Sequence, residues 1–393
     1  MKTFRSALFW MHLACGAAAG VVILIMCVTG VALTYEKQML EWADRRAWTG
    51  PSQAGARPLP PETLLAKVIE AWSGAAPIGI TMRADASAPA TVILEGNKNL
   101  LVDPYTGATI GEPPGAMRSF FRTMTTWHRY LALEGTSRAT GKAITGAANF
   151  VFLFIVLSGM YLWLPRVWKW IQFKNVLWFR GGLAPKARDF NWHNVIGIWS
   201  AVPLAIVVAG AIPISYPWAS NLVYRMVGDS PPVPPAAAVR PAERREPAGR
   251  REPATYVTAG LDASWSTARQ QIPGWRTMTS RLATSAKAPI VLTVDEGYGG
   301  QPQKRTTLTV DRATATVAKA ESFENLSAGR RLRSWLRFAH TGEIYGLTGQ
   351  TIAGLATAGG AVLVYTGIAL ALRRLVAWIS RRRESSAERP KAA

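Results

Sequence analysis

Histidine is scarce in this chain: there are four in 393 residues, too few for a histidine-rich metal tract, so each is weighed by its place. The two cysteines, Cys15 and Cys27, fall in one apolar run without CxxC spacing and supply neither a disulfide framework nor a cysteine zinc site. No CxxCH occurs, which rules out thioether-bound haem. Nucleotide-binding glycine motifs are missing as well: Gly181-Gly182 lacks the strand and pattern, and Gly299-Gly300 falls in a segment assigned below to the outside. No Ser/His/Asp set has plausible co-location, so no catalytic residue is assigned, and electrons from NAD(P)H would need a separate protein. Acids number 24 against 45 lysines and arginines, giving a net charge of +21. Much of that charge flanks apolar runs or lies outside, so nucleic-acid binding is not the reading.

What the chain has in quantity is long apolar sequence. Residues 8–35, 142–164, 195–214 and 349–372 are each long enough to cross a ~30 Å hydrocarbon core, and none carries Asp, Glu or Arg in its middle. Lys2 and Arg5 precede the first run like a secretory signal, but that run far exceeds a signal core of ~7–15 residues. It reads as a retained anchor. Lys169, Lys174, Arg180, Lys186 and Arg188 accompany Arg166 in the short third connection, against the single acid Asp189. Arg373, Arg374, Arg381, Arg382 and Arg383 follow the fourth run, with Arg389 and Lys391 beyond them. The positive-inside rule therefore puts the N-terminus, this loop and the C-terminus in the cytoplasm. Trp127, Trp163, Trp192, Trp218 and Trp378 gather at span ends, as interfacial anchors do.

The expected plan follows from these runs. A first span covers 1–35 and a first outer domain 36–116; a histidine-bearing pre-span helix and second span cover 117–164. A basic cytoplasmic loop covers 165–192 and the third span 193–216. The second outer domain, 217–326, includes a Pro/Ala/Arg/Glu-rich linker at 231–253. A second pre-span helix and the fourth span cover 327–373, and a basic cytoplasmic tail 374–393. Within the outer segments, 61–72 has helical periodicity, and 91–94 and 99–103 read as strands closed by the turn Asp103-Pro104-Tyr105-Thr106-Gly107. The second copy has a helix at 264–271 and strands at 290–295 and 306–311. Its turn, Asp311-Arg312-Ala313-Thr314-Ala315, lacks the proline and glycine.

The chain reads as one unit written twice. His12 and Gly16 match His193 and Gly197; the entry spans end in Gly30 and Gly210. Ile144-Thr145-Gly146 matches Ile352-Ala353-Gly354, Ser158-Gly159 matches Thr366-Gly367, and Arg166 matches Arg374. Two units that both run in, out and in are parallel repeats, related by an axis along the membrane normal. That symmetry pairs His12 with His193 near the cytoplasmic face and His128 with His340 near the outer face. Taken singly, each is an ordinary interfacial histidine; taken together, two opposed pairs suit iron with two axial nitrogens, as in a b-type haem. Zinc or copper is the rival metal, although a closed zinc site wants four protein ligands. Arg122, Arg129, Arg333 and Arg337 flank the outer histidines. Haem propionates would find Arg129, Arg333 and Arg337 there, and contact with lipid headgroups accounts for them equally.

The turn VDPYTG, the repeated span–domain–span plan and the pre-span segments WHRYLAL and FAHTGEIYG resemble the PepSY-associated transmembrane helix family, the iron-regulated membrane proteins. The resemblance runs from His12 to about Arg374. It implies an α-helical membrane protein of four spans in two parallel repeats, each with a small α+β PepSY domain in the periplasm, set in the bacterial inner membrane. It also implies two b-type haems and a link to iron acquisition. The expected function is electron transfer from a cytoplasmic reductase or a quinol, through the His12/His193 haem and then the His128/His340 haem, to a ferric siderophore or other ferric chelate. This makes the chain an oxidoreductase. The rivals are a peptide-binding or protease-restraining membrane protein, and a siderophore-transport accessory without redox chemistry.

Overall fold

Among the described residues, four helices are long and apolar enough to cross a membrane: Thr3–Leu33, Gly135–Trp163, Pro185–Ser215 and Glu343–Arg383. The computed structural model describes residues 2–50, 55–72, 74–164, 169–232 and 256–387. Arg166, Arg389, Lys391 and positions 233–253 of the linker lie outside the described residues. In chain order the elements are α1 (Lys2–Leu33), α2 (Glu36–Arg46), α3 (Pro61–Ala71), β1 (Pro77–Arg83), β2 (Ala90–Leu94), β3 (Lys98–Val102), β4 (Thr109–Gly111), α4 (Gly115–Tyr130) and α5 (Arg138–Trp163). There follow α6 (Trp170–Leu177), α7 (Pro185–Ser215), α8 (Pro217–Met226), α9 (Leu261–Gln271), β5 (Thr277–Arg281), β6 (Ile290–Asp295), β7 (Arg305–Val310), β8 (Val317–Ser322), α10 (Ala328–His340) and α11 (Gly346–Ala387).

These elements form two compact units. The helical unit is drawn from Met1–Tyr35, Phe121–Ser220 and Leu336–Ala393; the sheet unit is drawn from Glu36–Phe120 and Asn221–Trp335. In the helical unit α1, α5, α7 and α11 pack as a ring in that order. Their shared middle is an apolar cluster that includes Ile23, Cys27, Phe152, Val156, Leu204 and Val208. Gly360 lets α11 close on it: a Cβ there would lie 3.1 Å from the Cys27 sulfur and 3.4 Å from the Phe152 ring.

Two helices overrun their expected limits. The segment expected as a loop at 165–192 contains α6 and the first two turns of α7, so His193 lies inside a helix and does not open one. Asn191 explains the fold-back, because its side chain accepts from Arg180 N and donates to Trp178 O. The expected tail is likewise helical to Ala387. Its Arg, Leu, Ala and Glu residues are good helix formers, and no glycine or proline interrupts them.

The sheet unit differs from the expected pair of separate domains. All eight strands form one antiparallel sheet in the order β4-β3-β2-β1-β5-β6-β7-β8. The two halves join through β1 and β5, with Gly79 opposite Arg281 and Thr81 opposite Thr279. Each half alone would leave a strand edge open and a small core; pairing the two removes both defects. One apolar cluster accordingly spans both halves, from Leu64, Val68 and Ile80 to Trp265, Met278 and Leu308. The covering helices α3 and α9 also share their N-termini. Glu62 N donates to Asp262 Oδ1 at 2.8 Å, and Asp262 N donates to Glu62 Oε1 at 3.0 Å, so each acid satisfies the other helix's first-turn amide. Burial, the first cause, and the nearby Glu62 carboxylate push the Asp262 carboxyl above its usual range against the opposing effect of that amide.

The turn without proline and glycine keeps the geometry of its counterpart. Asp103 Oδ1 accepts from the amides of Tyr105 and Thr106, and Asp311 Oδ1 accepts from those of Ala313 and Thr314. The leading aspartate therefore sets the turn. Ala315 occupies the place of Gly107 with φ 52° against 78°, a left-handed conformation that disfavours a Cβ. Ala315→Gly is expected to stabilise the purified chain by about 0.5–1 kcal/mol, since relief of the left-handed cost exceeds the glycine entropy penalty. A denaturant midpoint that stays put or falls would show that Ala315 is unstrained.

Candidate functional site

All four histidines belong to the helical unit, and in each the ring nitrogen Nδ1 is held. His12 on α1 meets the Ser158 hydroxyl at 2.9 Å, and Ser158 spends its own proton on Ile155 O. His193 on α7 meets the Thr366 hydroxyl at 3.0 Å, and Thr366 donates to Val362 O. His128, near the end of α4, reaches Met26 O and the Thr29 hydroxyl, both at 3.0 Å, and Thr29 donates to Ile25 O. His340, the last residue of α10, reaches Val207 O at 2.8 Å. Every partner is thus an acceptor, so each Nδ1 carries the proton and each Nε2 keeps its lone pair. Among the described residues no Nε2 has a hydrogen-bond partner. This is the tautomer a metal-bound imidazole needs, with the second nitrogen oriented by its neighbour.

A glycine beside each imidazole makes room for it. A Cβ on Gly159 would lie 3.3 Å from His12 Cε1, one on Gly367 3.4 Å from His193 Cε1, and one on Gly30 3.3 Å from His128 Cε1. At Gly210 the Cβ would lie 3.1 Å from His340 Cβ and 2.5 Å from Leu336 O. The matched Ser158-Gly159 and Thr366-Gly367 pairs therefore have one local purpose: the hydroxyl fixes Nδ1 and the glycine admits the ring.

The rings come together in two pairs. His128 and His340 have centroids 6.3 Å apart with planes inclined by 44°. His12 and His193 line one cavity of about 660 Å³ with Gly16, Gly20, Gly197 and Leu363. Toward the middle of the bundle its wall is Ile23, Phe152 and Leu204; toward the helix ends it is Lys186, Arg373, Arg374 and Arg381. On α1 the levels of the two pairs, His12 and Thr29, are about 25 Å apart at 1.5 Å per residue. Among the described residues no group of three His, Cys, Asp or Glu side chains converges, so the donors do not suit a closed zinc site.

Arg129 and Arg337 are exposed, and their guanidinium groups lie over the adjacent rings of Tyr130 at 5.3 Å and Phe338 at 5.6 Å. Arg333 is exposed in the sheet unit. The basic wall of the His12/His193 cavity was not foreseen, because those charges had already served to orient the spans. A helical reading of α11 would have found it: Arg373 and Arg374 follow Gly367 by two turns. A family model described as the PepSY-associated TM region matches residues 9–374. A search of curated proteins returned no match.

Proposed function

We infer the function from a premise that this match supplies: the chain belongs to the PepSY-associated transmembrane family. We propose that it is a di-haem b electron-transfer protein of the bacterial inner membrane that reduces a ferric siderophore or related ferric chelate. The observation that carries the reading is the set of four imidazoles, each with Nδ1 satisfied and Nε2 available, drawn into two pairs. With metal–nitrogen bonds of ~2 Å and a ring centre ~1 Å beyond each nitrogen, two opposed axial imidazoles place their centroids ~6 Å apart. The 6.3 Å between His128 and His340 fits that requirement, and the cavity between His12 and His193 is of cofactor size. Haem bound at each pair would supply one-electron transfer at iron. The chain's own residues hold the ligands in one tautomer, admit them beside glycines, and separate the pairs with the apolar cluster around Phe152. That cluster excludes water from the middle of the bundle.

The charge distribution supports an orientation. Lys169, Lys174 and Arg180 precede α7, Lys186 opens it, and Arg381, Arg382 and Arg383 follow the apolar part of α11, which supports reading that end as cytoplasmic and the segments between α1 and α5 and between α7 and α11 as periplasmic. The matched histidine, hydroxyl and glycine positions support two parallel repeats. The donor is then a cytoplasmic reductase or a quinol at the His12/His193 side, and the acceptor a ferric chelate at the His128/His340 side. Iron leaves because Fe(II) binds such chelators far less tightly.

Two measurements test this reading. Purified protein should show a low-spin b-type spectrum with two haems per chain. In oriented vesicles, reduced protein should be reoxidised by a ferric siderophore added on the periplasmic side, with Fe(II) captured by a ferrous-specific chelator, and His340→Ala should block that step. A panel of ferric chelates that neither reoxidises the protein nor yields Fe(II) removes the reductase function. A preparation without haem absorbance removes the di-haem reading and leaves the peptide-binding one.

A further inference from the structure

The basic wall of the His12/His193 cavity is built, and more closely than orientation in a membrane requires. Asp189 is 1% exposed in α7, where an isolated carboxylate would be costly. Its Oδ1 accepts from Arg188 and its Oδ2 from Arg373 Nη1, so one carboxylate lies between two guanidinium groups and the trio keeps one positive charge. Arg373 is held through Nη1, and its side chain also lines the cavity. The next residue, Arg374, is fixed differently. Its guanidinium lies 4.8 Å from the Phe9 ring centre and 5.5 Å from that of Trp10, both on α1. Two consecutive arginines of α11 are thereby pinned to two different helices at the rim of one cavity. They sit six and seven residues beyond Gly367, about 10 Å along the helix from the histidine level.

We propose that Arg373 and Arg374 receive the two carboxylates of the group that occupies this cavity, and that Asp189 is the positioning residue that holds Arg373 in place. The proposal rests on the di-haem reading and assigns the propionate-binding groups of the His12/His193 site. Arginine suits this because its fork accommodates a carboxylate while a second edge is held elsewhere.

The test uses the full-length His340→Ala chain, which keeps this site alone. It is freed of haem in detergent and titrated with protohaem or with protohaem dimethyl ester, whose two acids are masked. The ester should bind at least ~10-fold more weakly, the order expected for losing charged hydrogen bonds. Arg373→Gln and Arg374→Gln should each shrink that ratio, and together abolish it. Asp189→Asn should shrink it only while Arg373 is present, and Arg373→Lys should retain part of it, outcomes that a purely structural role for Asp189 does not give. Where the stripped protein does not stay folded, haem loss from the intact holoprotein to an apoglobin is the second readout. It should be ~10-fold faster in the double glutamine variant and unchanged in Arg382→Gln. Equal binding of acid and ester overturns the proposal while leaving the di-haem reading intact, as does a ratio that survives the double substitution. A rim that responds to added phosphatidylglycerol and not to esterification belongs to lipid headgroups, which also overturns it. Binding of neither porphyrin overturns both.

Discussion

On the di-haem proposal, His193→Ala is expected to remove one of two haem equivalents and to leave the other with an unchanged low-spin spectrum, and His12→Ala should remove the same one. His128→Ala and His340→Ala should remove the other. The grouping is the informative part, because it crosses the chain: each site takes one ligand from either half. The two members of a pair are far apart in sequence, whereas His12 and His128 lie in the same half at levels about 25 Å apart along α1. A site deprived of one of its two imidazoles would hold a haem through a single histidine, so the expected effect is loss of that equivalent. Ser158→Ala and Thr366→Val should act on the same site more gently, since losing the partner of a ligating imidazole typically costs ~10–100-fold in metal affinity. Haem-to-protein ratio by pyridine haemochrome and low-temperature spectra of each variant give the answer. Loss patterns that group His12 with His128 would refute the pairing.

Gly141→Ala should abolish the His128/His340 site although it touches neither ring. A Cβ at Gly141 would lie 2.1 Å from Tyr130 O, which is part of the turn that follows His128. That turn has little freedom to yield. Leu131 and Ala132 both have positive φ, 52° and 57°, and Leu133 N donates back to Tyr130 O. Two consecutive left-handed residues cost roughly 1–2 kcal/mol each and persist only where the surroundings enforce them. Overpacking of this kind adds ~1–3 kcal/mol at the same place. The partner turn is built alike: a Cβ on Gly349 would lie 2.2 Å from Gly342 O, so Gly349→Ala should do the same from the His340 side. Gly181→Ala is the control, since nothing lies within 4 Å of its Cβ position. Retention of both haems in Gly141→Ala would mean that the turn does not position His128.

The spans and the paired histidines were legible because both signals are local or periodic: an apolar run announces its own length, and His12/Gly16 is matched by His193/Gly197 within a few residues. What escaped depends on distant partners. Asp189 looked like a loop acid until Arg373, 184 residues away, was found beside it. Strand β1, in which Ile78, Ile80 and Met82 alternate with Gly79, Thr81 and Arg83, carries a strand pattern in its own sequence, whereas β5 and β8 were missed for a related reason. Thr277–Arg281 buries Ser280 completely alongside Met278, so polar and apolar residues do not alternate by face. Val317–Ser322 is an exposed edge strand with little apolar content. The rim arginines were seen but spent on topology, since a charge that orients a helix and a charge that binds an anion look the same in one dimension.

The junction between β1 and β5 also sets a schedule for biosynthesis. Thr81 and Thr279 pair across 198 residues, and at ~5–20 residues per second the second strand follows the first by roughly 10–40 s. During that interval β1 has one side paired with β2 and the other open, the state in which a nascent strand recruits the wrong neighbour. Its face away from the core reads Gly79, Thr81, Arg83, without an apolar side chain among them. The lack of apolar side chains on that face leaves the strand a poor template for aggregation while it waits for the other half of the sheet.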